Sequence, residues 1–325
     1  MVKKVEKSIP WLIILAIFSL VGLISFSFLM DPSSKINAAS DFTASVTVTN
    51  ATPTIGAITL NGGSDVTLIE YSTTTIEATF TITDGNGWDD IATPSAFFYN
   101  TNTSTCNLSL IQAEGGNDAA QWCYEAYCNL MTTTSNSYNA SCTVDVWFIA
   151  NPTDASSSYS ANAWNILVSA SDTAGLIDTN STTQEVNSLA AAYMPATLSY
   201  GSVDPGATSS NDIHSTTTNT GNSMIDLDLS GDDMSDGSGH TIAAGQQKYS
   251  TSTVIGDWTN DAWAIALTNA EASTSLQLAH PSATATGPNY SNSATEIWWV
   301  ISIPDPQYAA AYTGTNTYQA YWRGQ

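Results

Sequence analysis

The feature that most constrains the fold is the spacing of apolar residues, which alternate with polar residues through much of the chain after residue 40. Residues 75–83 show this spacing well, because every second residue is apolar: Ile76, Ala78, Phe80 and Ile82. Successive side chains of a β-strand point to opposite faces, so this spacing places all the apolar residues on one face. Helical spacing is almost missing from the same region. We therefore predict an all-β protein whose antiparallel strands are each buried on one side.

Segments with this spacing fall into two groups along the chain. The first group comprises residues 43–50, 75–83, 143–150 and 163–171. The second group comprises residues 197–203, 224–230, 261–268, 274–280, 296–304 and 314–322. Polar turns containing Gly and Asn separate the segments, as in β-sandwiches. We place a boundary near Ser188 and predict two tandem antiparallel β-sandwich domains of the Ig-like type, residues 40–188 and 189–325.

The N-terminal segment, residues 1–39, has the pattern of an export signal. Three lysines, Lys3, Lys4 and Lys7, precede an apolar run at residues 11–30, and small residues that suit a cleavage site follow near residue 38. The apolar run is also long enough to cross a bilayer as a retained anchor. Both alternatives place the rest of the chain outside the cytoplasm, and contact with a membrane is expected only through residues 11–30 if they are retained.

The charge of the chain is strongly negative. It contains 29 acidic and six basic residues, and two of the acidic and four of the basic residues lie in residues 1–39. The remainder therefore has 27 acidic and two basic residues, Lys248 and Arg323, and a net charge of −25. Such a surface excludes nucleic acid as a partner, because almost nothing displaces the counterions of the phosphates. Repulsion among so many negative charges favours binding of divalent cations. The simpler alternative is that the excess of acidic residues only keeps the protein soluble.

Four cysteines, all between residues 106 and 142, indicate disulfide bonds. They are Cys106, Cys123, Cys128 and Cys142. A clustered, even set in an exported chain predicts two disulfides, for which three connectivities are open. A zinc site would need tighter CxxC-like pairs than the CYEAYC spacing supplies, so we favour disulfides.

Acceptor motifs for N-linked glycans agree with export. Six asparagines stand in the pattern Asn-X-Ser/Thr: Asn50, Asn102, Asn107, Asn139, Asn180 and Asn289. We predict glycosylation at these positions.

Several long stretches resemble a known kind of protein. The stretches "TITDGNGWDDI" (81–91) and "VDVWFIANPTDASSSYSANAWNILVSASDTAGL" (144–176) resemble the Ig-like β-sandwich domain of secreted surface proteins from uncultivated microbes. Residues 199–234 and "WWVISIPDPQYAAAYTGTNTYQAYW" (298–322) are similar to a second β-sandwich that often follows it. The resemblance covers most of residues 45–322. It implies a cell-envelope protein such as a surface-layer or filament subunit, and it implies no catalytic residues.

The loop "DGNGWDD" at residues 84–90 is a candidate calcium site. In an Ig-like sandwich the loops after the second and sixth strands lie at the same end, which brings residues 84–90 beside residues 171–178. The oxygen ligands gathered there are those of Asp84, Asn86, Asp89, Asp90 and Asp172, with Asp178 as a further candidate. Calcium prefers six to eight such oxygens on flexible loops. The alternative is a tight turn, because Asp-Gly-Asn-Gly is good turn chemistry without a metal.

A second acidic stretch, "DLDLSGDDMSDG" at residues 226–237, carries a weaker cation hypothesis. Asp226 and Asp228 alternate with apolar residues, so we predict that they face water from a strand. The oxygens left for a cation belong to Asp232, Asp233 and Asp236.

Motifs for catalysis are missing from the sequence. His214, His240 and His280 are far apart, and no metalloprotease, nucleophile-elbow or phosphate-loop motif is present. We predict that the protein is not an enzyme. Tryptophans could form a sugar-stacking platform, but strand spacing places Trp164 in the core. Trp298 and Trp299 are adjacent, so one of them faces outward, and we favour a subunit interface for it.

These observations favour an extracellular structural protein, a subunit of a surface layer or filament that binds copies of itself. Addition of residues 40–50 as a strand to a neighbour is a plausible linkage. The first alternative is a cell-surface adhesin that binds cell-envelope glycans. The second is a pilin-like subunit that keeps residues 11–30 as a helix.

Overall fold

The computed structural model describes residues 43–103, 106–107, 121–210, 213–283, 290–291 and 293–322. The predicted export segment and Asn289 lie outside these residues. The chain divides into two compact units, residues 1–49 and residues 50–325. Within the described residues of the first unit, 43–49, no strand is present and every residue is exposed. No helix among the described residues is long and apolar enough to cross a membrane.

The described part of residues 50–184 contains eight strands, all in one antiparallel sheet. They are β1 (Thr54–Ile55), β2 (Thr59–Leu60), β3 (Thr73–Thr83), β4 (Ser95–Asn100), β5 (Cys123–Thr133), β6 (Ser137–Trp147), β7 (Trp164–Ser171) and β8 (Ile177–Gln184). Their order is β1-β3-β6-β5-β4-β7-β8, and β2 also pairs with β3. Short 3-10 helices lie at Asn61–Gly63 and Trp88–Asp90.

Strand β5 joins the two halves of this sheet. Its first residues, Cys123–Ala126, pair with β4, whereas residues from Tyr127 onward pair with β6. The apolar faces of β3, β6, β4 and β7 meet in one core, which holds Ile76, Phe80, Val144, Phe98 and Trp164 among its buried residues. Burying an aliphatic or aromatic side chain of this kind contributes about 1.5–3 kcal/mol, so the alternating pattern is a main source of stability.

Trp164 is the largest buried side chain of this core. It is 0 % exposed, and its ring stacks on Phe98 with the centroids 4.8 Å apart. Its indole Nε1 donates a hydrogen bond to the carbonyl oxygen of Asn151 at 2.8 Å. The ring is therefore packed inside the protein and its one polar atom is hydrogen-bonded there. This confirms the core position expected from strand spacing.

Two disulfides are present, as predicted, and the structure gives their pairing. Cys106 bonds to Cys123, and Cys128 bonds to Cys142. Cys128 and Cys142 are direct cross-strand partners on β5 and β6, with their Cα atoms 3.9 Å apart. Disulfides persist in oxidising compartments, so the pairing indicates that the protein matures in an oxidising environment.

Twelve strands lie in the described part of residues 192–322. They are β9 (Ala192–Tyr193), β10 (Ile213–Asn219), β11 (Ile225–Gly231), β12 (Met234–Ser235), β13 (Thr241–Ile242), β14 (Gln247–Ser250), β15 (Ile265–Ala266), β16 (Ala272–Leu278), β17 (Ser282–Ala283), β18 (Tyr290–Ser291), β19 (Ala294–Ile301) and β20 (Asn316–Trp322). A third 3-10 helix lies at Ala244–Gln246. The sheets are β15-β14-β19-β10-β9, β16-β11-β20 and two hairpins, β12-β13 and β17-β18.

The five-stranded and three-stranded sheets share a second core. Leu229 of β11 packs with Tyr249 of β14 and with Ile297 and Trp299 of β19. The strand predicted at residues 224–230 is confirmed, with apolar residues buried on one face and Asp226 and Asp228 half-exposed on the other. Trp299 is 1 % exposed and Trp298 is half-buried, so the adjacent tryptophans do point to opposite faces of β19.

Three sequence-based strand predictions are wrong. Residues 43–50 and 197–203 form no strand, and the strand predicted at 261–268 shrinks to Ile265–Ala266. Alternating apolar residues show that a segment has one apolar face, but a strand also needs a neighbouring strand to pair with. Leu198, for example, packs on the second core although residues 197–203 form no strand. Before Ile265 the Asp261 carboxylate accepts the Trp263 amide hydrogen, and such side-chain bonds compete with strand pairing.

Contacts across Ser188 join the two groups of strands. Asn222 is 0 % exposed, and its side-chain amide donates to the carbonyl oxygens of Ala150 and Asn187, both at 3.0 Å. Gln121 Nε2 lies 3.4 Å from His280 Nδ1. No strand pair in the described residues crosses Ser188, but residues 50–325 form one compact unit, and the division into two domains stays a prediction.

His280 makes this junction sensitive to acid. Its Nε2 is buried without a hydrogen-bond partner, and burial lowers the pKa of the ring to about 4, although the Ile149 backbone acts in the opposite direction. An unfolded histidine titrates near 6.5, so the unfolded chain binds this proton first as the pH falls. We expect the stabilising contribution to be present above pH 6.5 and to be lost between pH 6.5 and 4, by roughly 3 kcal/mol in total.

Denaturant unfolding of the wild type and of His280→Gln across this pH range measures the effect. The variant should lose less stability than the wild type as the pH falls, since it has no proton to gain at this position. His214→Gln is the control, because the His214 side chain is 43 % exposed. Equal acid sensitivity in the wild type and His280→Gln would contradict the assignment.

Candidate metal centre

Two loops at the ends of β3 and β7 meet at one pole of the first core. Residues 84–91 follow β3, and residues 172–176 follow β7. The Thr173 amide donates to the carbonyl oxygen of Asp90 at 2.8 Å, and the Thr173 hydroxyl donates to the carboxylate of Asp90. An isolated antiparallel bridge between Ile91 and Asp172 completes the connection. The loops expected to lie together from the sandwich argument are therefore adjacent.

Three carboxylates converge where these loops meet. One oxygen from each of Asp84, Asp90 and Asp172 lies within 4.8 Å of the other two. Asp84 is 1 % exposed, Asp172 is 3 % exposed, and Asp90 is half-buried. We call these three residues the acidic triad. Within the described residues it is the one group of three or more acidic, histidine or cysteine side chains that could hold a metal ion.

The hydrogen bonds of the triad are unevenly shared. Asp172 Oδ1 accepts the Leu176 amide hydrogen at 2.8 Å, and Oδ2 accepts from Asn50 Nδ2 at 2.6 Å. Asp84 Oδ1 accepts the Asn86 amide hydrogen at 2.7 Å, which is turn chemistry. Asp84 Oδ2 is buried and has no hydrogen-bond partner. A tight turn accounts for the hydrogen bond accepted by Asp84 Oδ1, but it leaves the buried Oδ2 without a partner in the protein.

The pKa of Asp172 reports the balance of these contacts. Burial acts to raise the pKa, but hydrogen bonds from the Leu176 backbone and the Asn50 side chain outweigh it, so the net pKa lies below the usual value of an aspartate. Asp172 is therefore a carboxylate at neutral pH. The charged form is the one that a hard cation would bind.

No basic side chain of the described residues neutralises the triad. Their one lysine or arginine, Lys248, donates from Nζ to the carbonyl oxygen of Trp258 at 2.6 Å and lies 4.5 Å from the centroid of its ring. The ion pairs found in the described residues are His214–Glu296 and His240–Asp236. Buried carboxylates without a cationic side chain are the kind of site that a hard divalent cation stabilises.

Three other residues predicted as oxygen ligands at this pole have different roles. Asn86 Oδ1 accepts the Ala51 amide hydrogen at 2.6 Å, and Asp178 Oδ2 accepts the Ile55 amide hydrogen at 2.8 Å. Both side chains therefore bind the backbone at the start of residues 50–325. Asp89 is exposed and lies outside the triad. The contact that sequence reasoning missed is Asn50 to Asp172, because 122 residues separate the two positions.

The second acidic loop does not gather its carboxylates. Asp233 Oδ1 accepts from the Ala244 backbone, and the Asn269 side chain also donates to it, and these two hydrogen bonds lower the pKa of Asp233 although desolvation acts in the opposite direction. The Asp236 carboxylate accepts from His240, whose hydrogen bond is the main cause of a lowered pKa at Asp236. Asp232 is exposed. Each buried oxygen here has a protein partner, unlike Asp84 Oδ2.

The predicted glycan acceptors differ in their surroundings. Four of the described acceptors are exposed: Asn50, Asn102, Asn107 and Asn139. Asn180 is half-buried, and its Nδ2 donates to the carbonyl oxygens of Ile55 and Gly56 at 3.2 and 2.9 Å. A glycan on that nitrogen would remove one of the two hydrogens, so attachment at Asn180 would break a contact that holds β1.

Comparisons with known proteins identify no family. No family model and no curated protein matches the chain. Among solved structures, the secreted serine protease VesC from Vibrio cholerae has 10% sequence identity and a TM-score of 0.16, and the match covers 80% of this chain and 49% of that one. This chain thus spans about half the length of the protease. A structure described as BspA_C_WT has 8% identity and a TM-score of 0.21, with 80% and 92% covered. Likenesses this weak carry no argument, and the prediction that the protein is not an enzyme stays a prediction.

Proposed function

We propose that the protein is an extracellular structural subunit that assembles with copies of itself into a surface layer or filament. Its two groups of strands would act as tandem Ig-like sandwiches, and its acidic triad would bind calcium. The support is the combination of an all-β fold with two disulfides, a surface almost without basic residues, and an exposed N-terminal segment with strand spacing.

The observation that carries the proposal is the state of residues 43–49. They have the alternation of a half-buried strand, yet Val46 is 88 % exposed and Val48 is 78 % exposed. They lie outside the compact unit formed by residues 50–325. A segment with strand spacing whose apolar side chains are exposed is suited to strand addition, in which main-chain hydrogen bonds give affinity and alternate side chains fill pockets.

Charge gives the same segment a second advantage. Residues 43–49 contain no acidic or basic residue, whereas the remainder of the chain is strongly acidic. Two like-charged subunits repel each other, so a neutral segment is the part that approaches a neighbour with the least electrostatic penalty. Calcium in the acidic triad would reduce the repulsion between subunits further.

Replacing both Val46 and Val48 by aspartate should abolish assembly. Each valine is expected to bury an apolar side chain worth about 1.5–3 kcal/mol in the neighbour, so the loss weakens association by at least about a hundredfold. Light scattering across a concentration series of the protein from residue 40 measures the association. Thr47→Asp with Thr49→Asp is the matched control, because it adds the same charge to the opposite face of the segment. It should weaken association by the electrostatic penalty alone, so the further loss in the Val46 and Val48 variant measures the apolar contacts.

Negative-stain microscopy tests the assembly itself. The wild type from residue 40 is imaged with millimolar calcium and again after addition of chelator. Ordered sheets or filaments that dissolve with chelator support the proposal. A monodisperse particle in both conditions contradicts it and favours the adhesin that binds cell-envelope glycans. N-terminal sequencing of native material separates the pilin-like alternative, since a mature chain that starts near residue 40 has lost the helix.

A further inference from the structure

Strand β20 forms one edge of the three-stranded sheet β16-β11-β20. All seven of its residues, Asn316–Trp322, pair with β11, and no other strand pairs with it in the described part of the chain. An edge strand presents a row of unpaired N–H and C=O groups, which is a template for a strand from another chain. Strand β20 is therefore a place where the sheet can be extended.

The other long edges among the described residues are protected. Apart from β20, only β8 and β16 are edge strands of more than two residues there. The Asp178 and Asn180 side chains of β8 bind the backbone of residues 55–56, which covers that edge. Strand β16 has a register shift against β11, and its Ser275 takes a left-handed φ of 57°, so its edge is irregular. Covered edges and bulges are features that prevent unwanted strand pairing.

Strand β20 has none of these features. Its sequence, NTYQAYW, contains no charged residue and no proline, and its register with β11 is unbroken. Its exposed residues include Gln319, Tyr321 and Trp322. Aromatic residues are enriched at protein–protein interfaces. In a chain with 29 acidic and six basic residues, β20 thus offers a neutral edge that is seven residues long.

A cavity of about 350 Å³ lies on the inward side of β20. Asn316 and Tyr318, two half-buried residues of β20, line it together with residues 194–200, and no residue of β11 or β16 does. A cavity of roughly 150 Å³ can hold a benzene molecule, so this one has room for aliphatic side chains. Side chains of an added strand that point inward, as Asn316 and Tyr318 do, would find space on this side.

We propose that β20 is the acceptor edge for residues 43–49 of a second copy, which pair with it as an additional strand. This inference rests on the proposed function, because the proposed assembly supplies the donor segment. Donor and acceptor both have seven residues and neither carries a charge, so the paired strands themselves do not repel each other. Main-chain hydrogen bonds give affinity, and Val46 and Val48 point toward the cavity. On the other face Thr47 lies close to Gln319, since both stand near the middle of their strands.

Photo-crosslinking tests this contact. Benzoylphenylalanine is placed at position 319 in the protein from residue 40, which is mixed in equal amount with isotope-labelled wild type before illumination. We expect covalent dimers in which position 319 is joined to residues 43–50 of the labelled chain, as identified by mass spectrometry. Position 277 is the matched control, because Gln277 is exposed on the same face of the sheet at its opposite edge. A probe there should give no link to residues 43–50.

Negative-stain microscopy of the same samples lets the two proposals fail separately. Ordered assemblies without a link from position 319 to residues 43–50 overturn the acceptor edge and leave the assembly intact. Linked dimers without ordered assemblies support the acceptor edge and contradict the surface layer or filament. A link to the unlabelled chain alone shows that the segment folds back on its own copy, which overturns the pairing of two copies. Absence of both links and assemblies overturns both proposals.

Two double variants of identical composition give a quantitative test. Thr47→Lys is combined with Gln319→Glu in one protein and with Gln277→Glu in the other, so both have the same net charge. Each glutamine stands directly opposite an aspartate of β11, Asp228 for Gln319 and Asp226 for Gln277. If the donor lies along β20, only the first combination brings opposite charges together, and we expect about threefold tighter association, as for a cross-strand charge pair. Light scattering across a concentration series measures the association. Equal association of the two proteins contradicts the assignment.

Discussion

The Asp84→Asn variant is expected to be more stable than the wild type in chelator and less stable in millimolar calcium. Without a cation the three carboxylates of the acidic triad repel one another, and asparagine removes one charge while keeping the shape of the side chain. With calcium, asparagine loses the buried oxygen that has no protein partner, Asp84 Oδ2. The wild type should gain about 4 kcal/mol when free calcium exceeds its dissociation constant a thousandfold.

Thermal unfolding with and without calcium, on the wild type and the variant, measures this change of sign. Asp89→Asn is the control, because Asp89 stands in the same loop but is exposed and outside the triad. Its free energy of unfolding should differ from that of the wild type by no more than about 0.5 kcal/mol, with or without calcium. If calcium shifts the wild type and Asp84→Asn equally, the cation binds elsewhere. If it shifts neither, the loop is only a turn.

Trp164→Ala should destabilise the compact unit by about 3–5 kcal/mol, the usual cost of deleting a buried aromatic side chain. The change removes the ring that stacks on Phe98 and leaves the Asn151 carbonyl without its donor. Trp164→Phe keeps most of the apolar volume but loses the hydrogen bond, so it should cost less. Urea unfolding followed by circular dichroism gives the free energies.

Trp263→Ala tests whether the loss of stability at Trp164 comes from burial and not from the removal of any tryptophan. Trp263 is 63 % exposed, and an exposed site of this kind usually changes stability by no more than about 0.5 kcal/mol. A loss at Trp263 as large as that at Trp164 would show that exposure in the isolated chain is a poor guide to packing. A small loss at Trp164 would contradict its place at the centre of the first core.

The predicted strands that the structure confirms each have a neighbouring strand on at least one edge. The strand at residues 75–83 is such a case, because β3 pairs with β6 along its whole length. Residues 43–50 and 197–203 have the same alternation but form no strand in the described part of the chain. Pairing depends on distant residues, so a local pattern cannot reveal it. Strand β5 was not predicted, although every second residue from Tyr124 to Leu130 is at least half-buried, because the exposed positions include the apolar Tyr127 and Met131, which blur the alternation in the sequence.

The three carboxylates of the candidate metal centre could be foreseen from the sequence. One rule of sandwich topology brings the ends of two strands together, and Asp84, Asp90 and Asp172 stand directly after those strands. The role of Asn50 could not be foreseen, since it depends on how the chain enters the unit. The hydrogen bond from Asn316 Nδ2 to Gln247 Oε1 could not be foreseen either, because it joins positions that are 69 residues apart and belong to no motif.

The scarcity of basic residues also decides how the protein meets proteases that cut after lysine or arginine. Between residue 36 and residue 322 such enzymes have one cleavable bond, the one that follows Lys248. That lysine lies in strand β14, which pairs with β19 and β15, and its ammonium group is held by Trp258. Folded protein should therefore survive trypsin-like digestion almost intact. The composition that makes the protein acidic thus also limits its cleavage by this class of protease.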